Sequence, residues 1–457
     1  MNDKLKEYIK NIDGVSHITF DPKGPDVVRI HLIPPKKIKF GNSWIVLING
    51  EYILPITFSW AILFREFINN INEYEGREIN DEEIDEAVKN TTSFMHKIYP
   101  KTNKKLFKED LEEIISVILD LSKGKEVKSE IGYMSIKKYA PYMRAPLRMD
   151  LMVSSMNKDG HWHCNQKCLN CYAAGEIKGN EEELSTNDWK KIIDKLRNAS
   201  IPQITFTGGE PTLREDLVEL VEYSSWFVTR LNTNGQLLTK ELCDELYNAS
   251  LDNVQITLYS SNPNIHNLLV GTNGYDLTIK GIENAANSGL QININTPLCS
   301  LNKDYLNTID YLYHTFGIRY FTCSGLILTG SAKDTKETRL GEDELYEILK
   351  EAKKYCDDNG LDLKFTSPGW ISEDKLKELS MTLPMCGASL SNMAVSPSGD
   401  VIPCQSWLDG TSFGSLLNKK FDQIWSSKEL KALRHITLKN SEYCPLSERE
   451  KYHEENN

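Results

Sequence analysis

Three cysteines lie close together in the segment HWHCNQKCLNCY, residues 161–172. Cys164, Cys168 and Cys171 are separated by three and then two residues, so their sulfur atoms can converge from a single loop. One interpretation is a structural zinc site in which His161 or His163 is the fourth ligand, because zinc accepts mixed thiolate and imidazole sets. The other is an iron–sulfur cluster on three thiolates, whose fourth iron stays open to a ligand from outside the chain.

A second segment that suggests ligand binding is TFTGGEPT, residues 205–212. Gly208 and Gly209 let the backbone approach a ligand closely, and Glu210 can accept hydrogen bonds from a cationic group. Taken alone, the two glycines could equally form a tight turn between a strand and a helix. A structural zinc loop gives no reason for this segment, so the two segments together favour the iron–sulfur interpretation.

The elements that must position these residues alternate between strand and helix patterns from about residue 145. Repeated βα units indicate an α/β fold, with parallel strands in a barrel or partial barrel and chemistry at the carboxyl ends of the strands. The cysteine loop and Gly208-Gly209 both fall at such ends. The six predicted strands are PLRMDLMVSS, PQITFTGGE, FVTRLNTNG, NVQITLYSS, LQININTPL and IRYFTCSGL.

Over roughly residues 147–330, the two motifs in this order resemble the radical S-adenosylmethionine (SAM) enzymes. The resemblance implies that Cys164, Cys168 and Cys171 bind a 4Fe–4S cluster whose unique iron chelates the amino and carboxylate groups of the methionine moiety. The 208–210 segment would hold the methionine amino group. An electron from the reduced cluster would cleave the sulfonium to methionine and a 5′-deoxyadenosyl radical, which abstracts a hydrogen atom from the substrate.

The resemblance also implies cofactor contacts at the ends of the third and fourth predicted strands. Thr233 and Asn234 in LNTNG, and Thr257 in QITLYSS, would contact the ribose and the carboxylate of SAM. Each of the three could equally be a turn residue at the end of a strand.

Two positions depart from the family pattern. The residue before the third cysteine is usually aromatic, whereas here it is Asn170 and Tyr172 follows instead. The contact with adenine at Tyr172 would then use the backbone or an altered stacking arrangement. Val270 stands where the family often has an arginine that pairs with the methionine carboxylate, so another group or water must take that role.

A second set of cysteines lies near the end of the chain. Cys386 and Cys404 flank the hairpin signal PSGD, and Cys444 follows a helical IW…LR pattern. Over about residues 370–450 this arrangement resembles the SPASM and twitch domains of the same superfamily. It implies one auxiliary 4Fe–4S cluster on these three cysteines, with a fourth ligand from elsewhere or an open iron. Ser447 stands where a C-x2-C pair would have its second thiol, and a structural zinc site is the alternative.

The remaining cysteines divide into two groups. Cys299 and Cys323 lie near the predicted ends of the fifth and sixth strands, and Cys323 is a candidate for a missing ligand or a catalytic thiol. Cys243 and Cys356 lie in predicted helices and are expected to pack in the core. His266, at the start of a helix, is expected to be a surface or capping residue rather than a proton donor.

Residues 1 to about 125 contain no cysteine and form a separate predicted unit. SWIVLINGEYILPI predicts a hairpin around Asn49-Gly50, and Asn80 with Glu83 predicts a capping box at the start of a later helix. Over about residues 25–100 the pattern resembles the winged-helix elements that bind leader peptides of ribosomally made natural products. An extended leader would add as a strand to the hairpin edge. The alternative is a packing domain that only caps the barrel.

Composition limits the class of protein. The 457 residues are 40% hydrophobic with a formal net charge of -12, which argues against a nucleic-acid partner because such binding rests on Lys and Arg. No apolar run is long enough to span a membrane, and the start lacks the pattern of a secretory signal, so we expect a cytoplasmic protein with no membrane partner. Ten cysteines in such a chain do not predict a disulfide framework, and those that cluster are expected to be metal ligands or reactive groups.

We therefore expect four segments: a winged-helix-like α+β domain at 1–125, a linker at 126–146, a partial (β/α)6 barrel at 147–369 and an auxiliary-cluster domain at 370–457. The resemblance implies hydrogen abstraction from a ribosomally made precursor peptide, giving a crosslink, an epimer or another carbon-centred change. Oxidation of a small molecule by the same chemistry and a non-enzymatic zinc-binding interaction protein are the alternatives. A one-electron donor such as flavodoxin or ferredoxin would be a partner.

Overall fold

The computed structural model describes residues 3–12, 14–21, 27–39, 41–74, 77–123, 125 and 133–447. The chain forms two compact units. Unit 1 takes in most of residues 1–145 together with Arg197–Pro202, and unit 2 takes in Pro146–Leu196 and the chain from Gln203 onward. Part of the predicted linker, residues 126–132, lies outside the described residues. No helix among the described residues is long and apolar enough to cross a membrane.

Unit 1 is built on an antiparallel sheet with the strand order β1-β2-β3-β4. The predicted hairpin is confirmed as β3 and β4, and Asn49 and Gly50 both have the positive φ that its turn requires, 48° and 71°. Strands β1 and β2 extend this hairpin and were not predicted. The elements are α1 Asp3–Lys10, β1 Ser16–Phe20, β2 Val28–Ile33, β3 Trp44–Ile48, β4 Tyr52–Ile56, α2 Phe58–Asn72, α3 Asp81–Ile98, α4 Lys104–Ser122 and α5 Ile136–Tyr139.

Unit 1 has a hydrophobic core of its own, between the sheet and helices α2 to α4. Trp44 from β3 and Phe64 from α2 are buried in it. The predicted capping box begins α3: Glu83 N donates to Asn80 Oδ1 at 3.0 Å, and Asn80 N donates to Glu83 Oε2 at 3.1 Å. These contacts explain why the predicted helix begins where it does.

Both outer strands of this sheet already receive a hydrogen bond from elsewhere in unit 1. On β4, Ile53 O accepts from Met134 N at 2.9 Å, and Pro55 offers no N–H at all. On β1, His17 O accepts from Asn72 Nδ2 at 2.9 Å. A proline is tolerated in β4 because β4 is an edge strand.

Unit 2 contains, within its described residues, a sheet in the order β13-β12-β11-β10-β9-β8-β5-β14-β15. All six predicted strands are confirmed as β5 and β8 to β12, and all pair in parallel with their neighbours. Strands β13 and β14 continue the parallel sheet at either side, and β15 pairs antiparallel with β14. The predicted PSGD hairpin is thus β14 and β15, which join the barrel sheet beside β5.

The elements of unit 2 follow the predicted alternation. They are β5 Arg148–Ser154, β6 Asn157–Lys158, β7 His161–Trp162, α6 Thr186–Asn198, β8 Gln203–Gly208, α7 Leu217–Tyr223, β9 Val228–Thr233, α8 Lys240–Asn248, β10 Asn253–Thr257, α9 Pro263–Val270, α10 Tyr275–Ser288, β11 Ile292–Pro297, α11 Tyr305–Phe316, β12 Tyr320–Ser324, α12 Glu342–Asn359, β13 Asp362–Phe365, α13 Glu373–Glu378, β14 Asn392–Val395, β15 Val401–Ile402, α14 Phe421–Trp425 and α15 Lys428–Lys439.

Strands β9 to β11 have one apolar and one polar face. Leu231, Val254, Ile256 and Ile294 alternate with polar residues and are fully buried on the face that packs against the helices. The polar residues between them are half-buried on the opposite face. This alternation separates a helix-covered core from a polar face, and the strands end where the cysteine loop lies.

Candidate iron–sulfur and cofactor site

The loop that carries the first three cysteines is held against the end of helix α9. Lys167 N donates to Val270 O at 3.0 Å, and Leu169 N donates to Leu269 O at 2.8 Å. Gly271 follows with φ 66°, and a Cβ there would lie 2.3 Å from Lys167 O. Val270 therefore uses its main chain to position the loop, whatever group pairs with the cofactor carboxylate.

The three thiols of this loop lie near one another and near the end of β8. Cys168 interacts electrostatically with both Cys164 and Cys171. Cys164 Sγ is 3.7 Å from Gly209 O, and Cys168 Sγ is 3.4 Å from Gln166 Oε1. Burial raises the pKa of Cys164 to about 12 and raises the pKa of the other two thiols as well. Iron binding must therefore displace the thiol protons.

Two buried amide groups beside the thiols fit a bound cluster. Gln166 Nε2 and Asn170 Nδ2 are buried donors with no partner among the described residues. A buried donor without a partner costs free energy, and sulfide or cofactor atoms are acceptors for it. The loop thus combines three thiols with donors that a cluster and its ligand can use.

The two histidines of the loop do not join the thiols in a compact metal site. His163 Nε2 is 3.5 Å from Glu183 Oε1, and His161 is exposed in strand β7. Among the described residues, no group of three or more His, Cys, Asp or Glu side chains is arranged to hold a single metal ion. The zinc interpretation of this loop finds no support in this geometry.

Gly208 and Gly209 are required by the neighbouring strand end. Gly208 has φ 141°, and a Cβ there would lie 2.1 Å from Ser154 O. Gly209 N donates to Ser154 O at 2.8 Å, and a Cβ on Gly209 would lie 2.6 Å from Ser155 O. The close approach that the sequence predicted for a ligand is thus made by the backbone of Ser154 and Ser155, at the end of β5.

Glu210 is buried, and its carboxylate accepts four hydrogen bonds from the chain. Oε1 accepts from Thr212 N, Thr212 Oγ1 and Thr233 Oγ1, at 3.0, 2.6 and 2.6 Å. Oε2 accepts from Asn234 N at 2.8 Å. Burial raises the pKa of Glu210, while the hydrogen bonds oppose that shift. Since Oε2 has only one of these donors, it keeps capacity for a donor from a cofactor.

A chain of side-chain amides joins the cysteine loop to the end of β9. Asn234 Nδ2 donates to Asn165 Oδ1 at 2.6 Å, and Asn165 Nδ2 donates to Gln236 Oε1 at 3.3 Å. Gln236 Nε2 is buried and has no partner among the described residues. Neither Asn165 nor Gln236 was predicted from the sequence, although both lie within two residues of motif positions. Thr257 ends β10 beside Asn295, half-buried, and within the described chain its hydroxyl has no hydrogen bond.

Tyr172 lies between the two sets of cysteines. Its hydroxyl is hydrogen-bonded to the Thr207 side chain, and it interacts electrostatically with both Cys171 and Cys404. Burial raises the pKa of its hydroxyl. Tyr172, Cys164 and Cys171 pack against one apolar cluster that includes residues of β14 and β15. The aromatic residue displaced from its usual position therefore lies where both cysteine sets meet.

The C-terminal thiols also form a group. Cys404 interacts electrostatically with both Cys386 and Cys444. Burial raises the pKa of all three thiols, for Cys444 to about 11. Ser447 Oγ donates to Cys444 O at 2.7 Å, so this hydroxyl is engaged by the backbone at the position where a further thiol was considered.

Three buried oxygen atoms near this group lack a partner among the described residues: Ser389 Oγ, Gln405 Oε1 and Ser441 Oγ. Ser389 N donates to Pro403 O, next to Cys404, and Ser441 O accepts from Cys386 N. The three thiols with these unpaired polar atoms fit an iron–sulfur cluster that has either a fourth ligand from elsewhere or an open iron.

The structure does not support the candidate role of Cys323 as a missing ligand or a catalytic thiol, because Cys323 does not lie on the polar face of the sheet. Cys323 pairs in register with Thr296 and Phe365, all buried on the helix-covered face of the sheet. It lies beside Tyr305 of α11 and Cys356 of α12. Strand parity decides this placement, because adjacent residues of a strand point to opposite faces.

The structure also places the other cysteines and the histidine that the sequence analysis considered. Cys243 and Cys356 are buried, as predicted for packing residues. Cys299 packs in the apolar cluster that Cys168 contacts. His266 was expected at the surface but is buried, and its Nδ1 accepts from Tyr259 N at 3.3 Å. Burial lowers the pKa of His266 to about 4.

Comparison with known proteins agrees with this geometry. The radical SAM superfamily matches residues 163–312, and the SPASM iron–sulfur cluster-binding domain matches residues 386–447. The AdoMet-dependent heme synthase of Oleidesulfovibrio alaskensis is 26% identical over 58% of this chain and 72% of its own. The mycofactocin maturase MftC of Mycolicibacterium smegmatis is 27% identical over 58% of this chain and 68% of its own.

A solved structure shares the fold of almost the whole chain. Streptococcus suis SuiB, bound to the precursor peptide SuiA, has a TM-score of 0.59 and 17% identity over 89% of this chain and 93% of that chain. The chain thus contains a radical SAM domain and, after it, a SPASM domain. Its cofactors are SAM, a SAM-binding 4Fe–4S cluster and an auxiliary 4Fe–4S cluster. The non-enzymatic zinc-binding alternative is therefore wrong.

Proposed function

We propose that this enzyme modifies a ribosomally made precursor peptide by abstracting a hydrogen atom from it. When bound, the reduced cluster and SAM supply the 5′-deoxyadenosyl radical for that step. The observation that carries the proposal is unit 1, an α+β unit with its own core and no cysteine, which precedes the barrel. MftC is named a maturase, and SuiB was solved with a precursor peptide, which supports the same substrate class here.

Within the barrel, we assign Cys164, Cys168 and Cys171 as the ligands of the SAM-binding cluster. The free acceptor capacity of Glu210 Oε2 supports a role for Glu210 in holding the amino group of SAM. The 3.7 Å contact between Cys164 Sγ and Gly209 O supports the same placement, because it puts the thiol loop next to the end of β8.

We assign four further residues to cofactor binding. Thr233 and Asn234 contact Glu210 and the cysteine loop, which supports roles next to SAM. Among the described residues the hydroxyl of Thr257 has no hydrogen-bond partner, so it is available to the ribose or the carboxylate. Tyr172 borders the loop and supports an adenine contact by its ring or its backbone.

The auxiliary cluster is assigned to Cys386, Cys404 and Cys444. A cluster held there would either transfer an electron to or from the substrate radical or bind a substrate atom at an open iron. A one-electron donor such as flavodoxin or ferredoxin would reduce the enzyme. Reduction by flavodoxin, measured as 5′-deoxyadenosine formed without dithionite, tests that partner.

A leader peptide that binds unit 1 at the edge strand β4 must compete with a hydrogen bond that is already present there. Addition of a strand to β4 must displace the hydrogen bond from Met134 N to Ile53 O. Met134→Pro removes that donor, so we expect tighter leader binding if the leader adds to β4. Unchanged affinity would place recognition elsewhere in unit 1.

The substrate is tested with the full chain, reconstituted with iron and sulfide under anaerobic conditions. Each short peptide encoded beside the gene is incubated with enzyme, SAM and dithionite, and its mass is followed. A crosslink removes a pair of hydrogen atoms, and epimerisation in D₂O adds deuterium. If every such peptide stays unchanged while a free metabolite is consumed, the peptide proposal fails and the small-molecule alternative replaces it.

A further inference from the structure

Three side-chain amides form a row across the polar face of the barrel sheet. Gln255 of β10 pairs in register with Asn232 of β9 and with Asn293 of β11. Neighbouring strands lie about 4.8 Å apart, and register partners point to the same face. We call Asn232, Gln255 and Asn293 the carboxamide row.

The carboxamide row is accessible and largely unpaired. All three residues are half-buried, whereas their neighbours in each strand are buried on the helix-covered face. Within the described chain, the side chains of Asn232 and Gln255 make no hydrogen bond. Asn293 Oδ1 accepts from Thr322 Oγ1 at 3.3 Å. The row therefore offers both donors and acceptors to a ligand on this face.

The row lies beside the candidate cofactor site. Asn232 and Gln255 each come two residues before a proposed cofactor contact, Asn234 and Thr257. Two residues of a strand span about 7 Å. A substrate group held by the row would thus lie next to the position where the radical forms.

The charge of this face narrows the class of ligand. On β9, β10 and β11, the polar face carries one charged residue, Arg230. It lies two residues before Asn232 in β9, so it is further than the row from the carboxyl ends of the strands. A tetrapyrrole with several carboxylates needs cationic partners, and its apolar ring would leave the amides of the row unpaired. A peptide group carries one N–H donor and one C=O acceptor, which are the two functions that a carboxamide complements.

We propose that the carboxamide row binds main-chain peptide groups of the substrate beside the carbon that is modified. The inference rests on the proposed function, since it names how a peptide substrate is selected within the barrel. The neutral amides of the row complement a peptide group better than a carboxylate-rich tetrapyrrole. The side chains of the row bind the peptide substrate through hydrogen bonds. Apolar substitutions of similar volume should therefore weaken substrate binding and leave SAM binding intact.

The test uses a double variant that carries both Asn232→Leu and Gln255→Met. It is compared with wild type, each as the reconstituted holoenzyme, in reactions with a peptide encoded beside the gene. We expect the KM for the peptide to rise about tenfold or more, because a site built for hydrogen bonds loses both partners. The Kd for SAM and the rate of SAM cleavage without peptide should stay within about twofold. Asn253→Leu is the matched control, since Asn253 lies on the same face and its Nδ2 already donates to Gln291 O at 3.2 Å.

The possible results distinguish the proposed role of the carboxamide row from the proposed modification of a peptide. If wild type modifies the peptide and the double variant does so with unchanged KM, the role of the row is refuted and the peptide function stands. If wild type modifies no peptide and instead binds iron coproporphyrin III stoichiometrically, both proposals fall. If the double variant binds less iron than wild type, it is not a valid test of substrate binding. The isosteric variant Gln255→Glu is then used instead, and the same rise in the KM for the peptide is expected.

Discussion

Glu210, at the end of β8, accepts a hydrogen bond from the backbone N–H of Asn234, just after β9, at 2.8 Å. The same carboxylate accepts from the hydroxyl of Thr233 at 2.6 Å. A buried carboxylate that serves two strand ends at once sets the distance between them. Glu210 is therefore a positioning residue as well as a proposed cofactor contact.

Glu210→Gln should lower both stability and SAM affinity. The amide that replaces one carboxylate oxygen is a donor, and it would face groups that also donate. The loss should be about 1–3 kcal/mol in the free energy of unfolding, the usual cost of an unsatisfied buried group. Chemical denaturation and SAM titration measure the two effects. Glu219→Gln, at an exposed pair with Lys190, is the control and should change stability by less than about 0.5 kcal/mol.

Replacement of each of the two cysteine sets should have a different effect on SAM cleavage. Replacement of Cys164, Cys168 and Cys171 by alanine should abolish 5′-deoxyadenosine formation and leave the iron of the auxiliary cluster in place. Replacement of Cys386, Cys404 and Cys444 should leave some SAM cleavage that is uncoupled from product. Iron content, electron paramagnetic resonance and 5′-deoxyadenosine yield are the measurements. Full cleavage in the first triple variant would contradict the ligand assignment.

Gly208→Ala should be far more costly than Gly175→Ala. A Cβ at Gly208 meets Ser154 O at 2.1 Å, so the ends of β5 and β8 must separate. Gly175 also has positive φ, 73°, but nothing lies within 4 Å of a Cβ there. We expect about 1 kcal/mol for Gly175→Ala and at least about 3 kcal/mol for Gly208→Ala. Equal losses in thermal or denaturant unfolding would argue against this close approach.

His266 should make stability fall in mild acid. Its pKa is lowered by burial from 6.5 to about 4, so the folded state stays neutral where the unfolded state takes up a proton. Its contribution is present above about pH 6.5 and is lost as pH falls towards 4, in total on the order of 3 kcal/mol. Denaturation at several pH values should show this slope in wild type and a flatter one in His266→Phe. His435→Gln, at an exposed histidine, should keep the wild-type slope.

Tyr172 tests the boundary between the two cysteine sets. Tyr172→Phe removes only the bond to Thr207 and should cost about 1 kcal/mol, with SAM cleavage nearly unchanged. Tyr172→Ala leaves a cavity beside Cys171 and the β14–β15 residues, at a cost of about 2–4 kcal/mol. It should also alter the resonance spectra of both clusters. Spectra identical to wild type in Tyr172→Ala would show that the ring supports neither site.

The spacing of the cysteines, the order of strands and helices, and the hairpin and capping box of unit 1 were all predictable from the sequence. Each depends on residues a few positions apart, so local chemistry and periodicity are sufficient. The match of residues 163–312 and 386–447 to known domains follows from the same local motifs.

The tertiary structure alone decided which face Cys323 occupies, that His266 is buried, that β14 pairs with β5, and that Glu210 joins two strand ends. Arg148 of β5 and Asn392 of β14 pair in register although they lie 244 positions apart, and no local pattern encodes such a partner. A one-residue change in strand parity would turn Cys323 to the opposite face. The cysteines proposed to bind iron are therefore predictable from short stretches of the sequence. Their surroundings depend on contacts between distant parts of the chain.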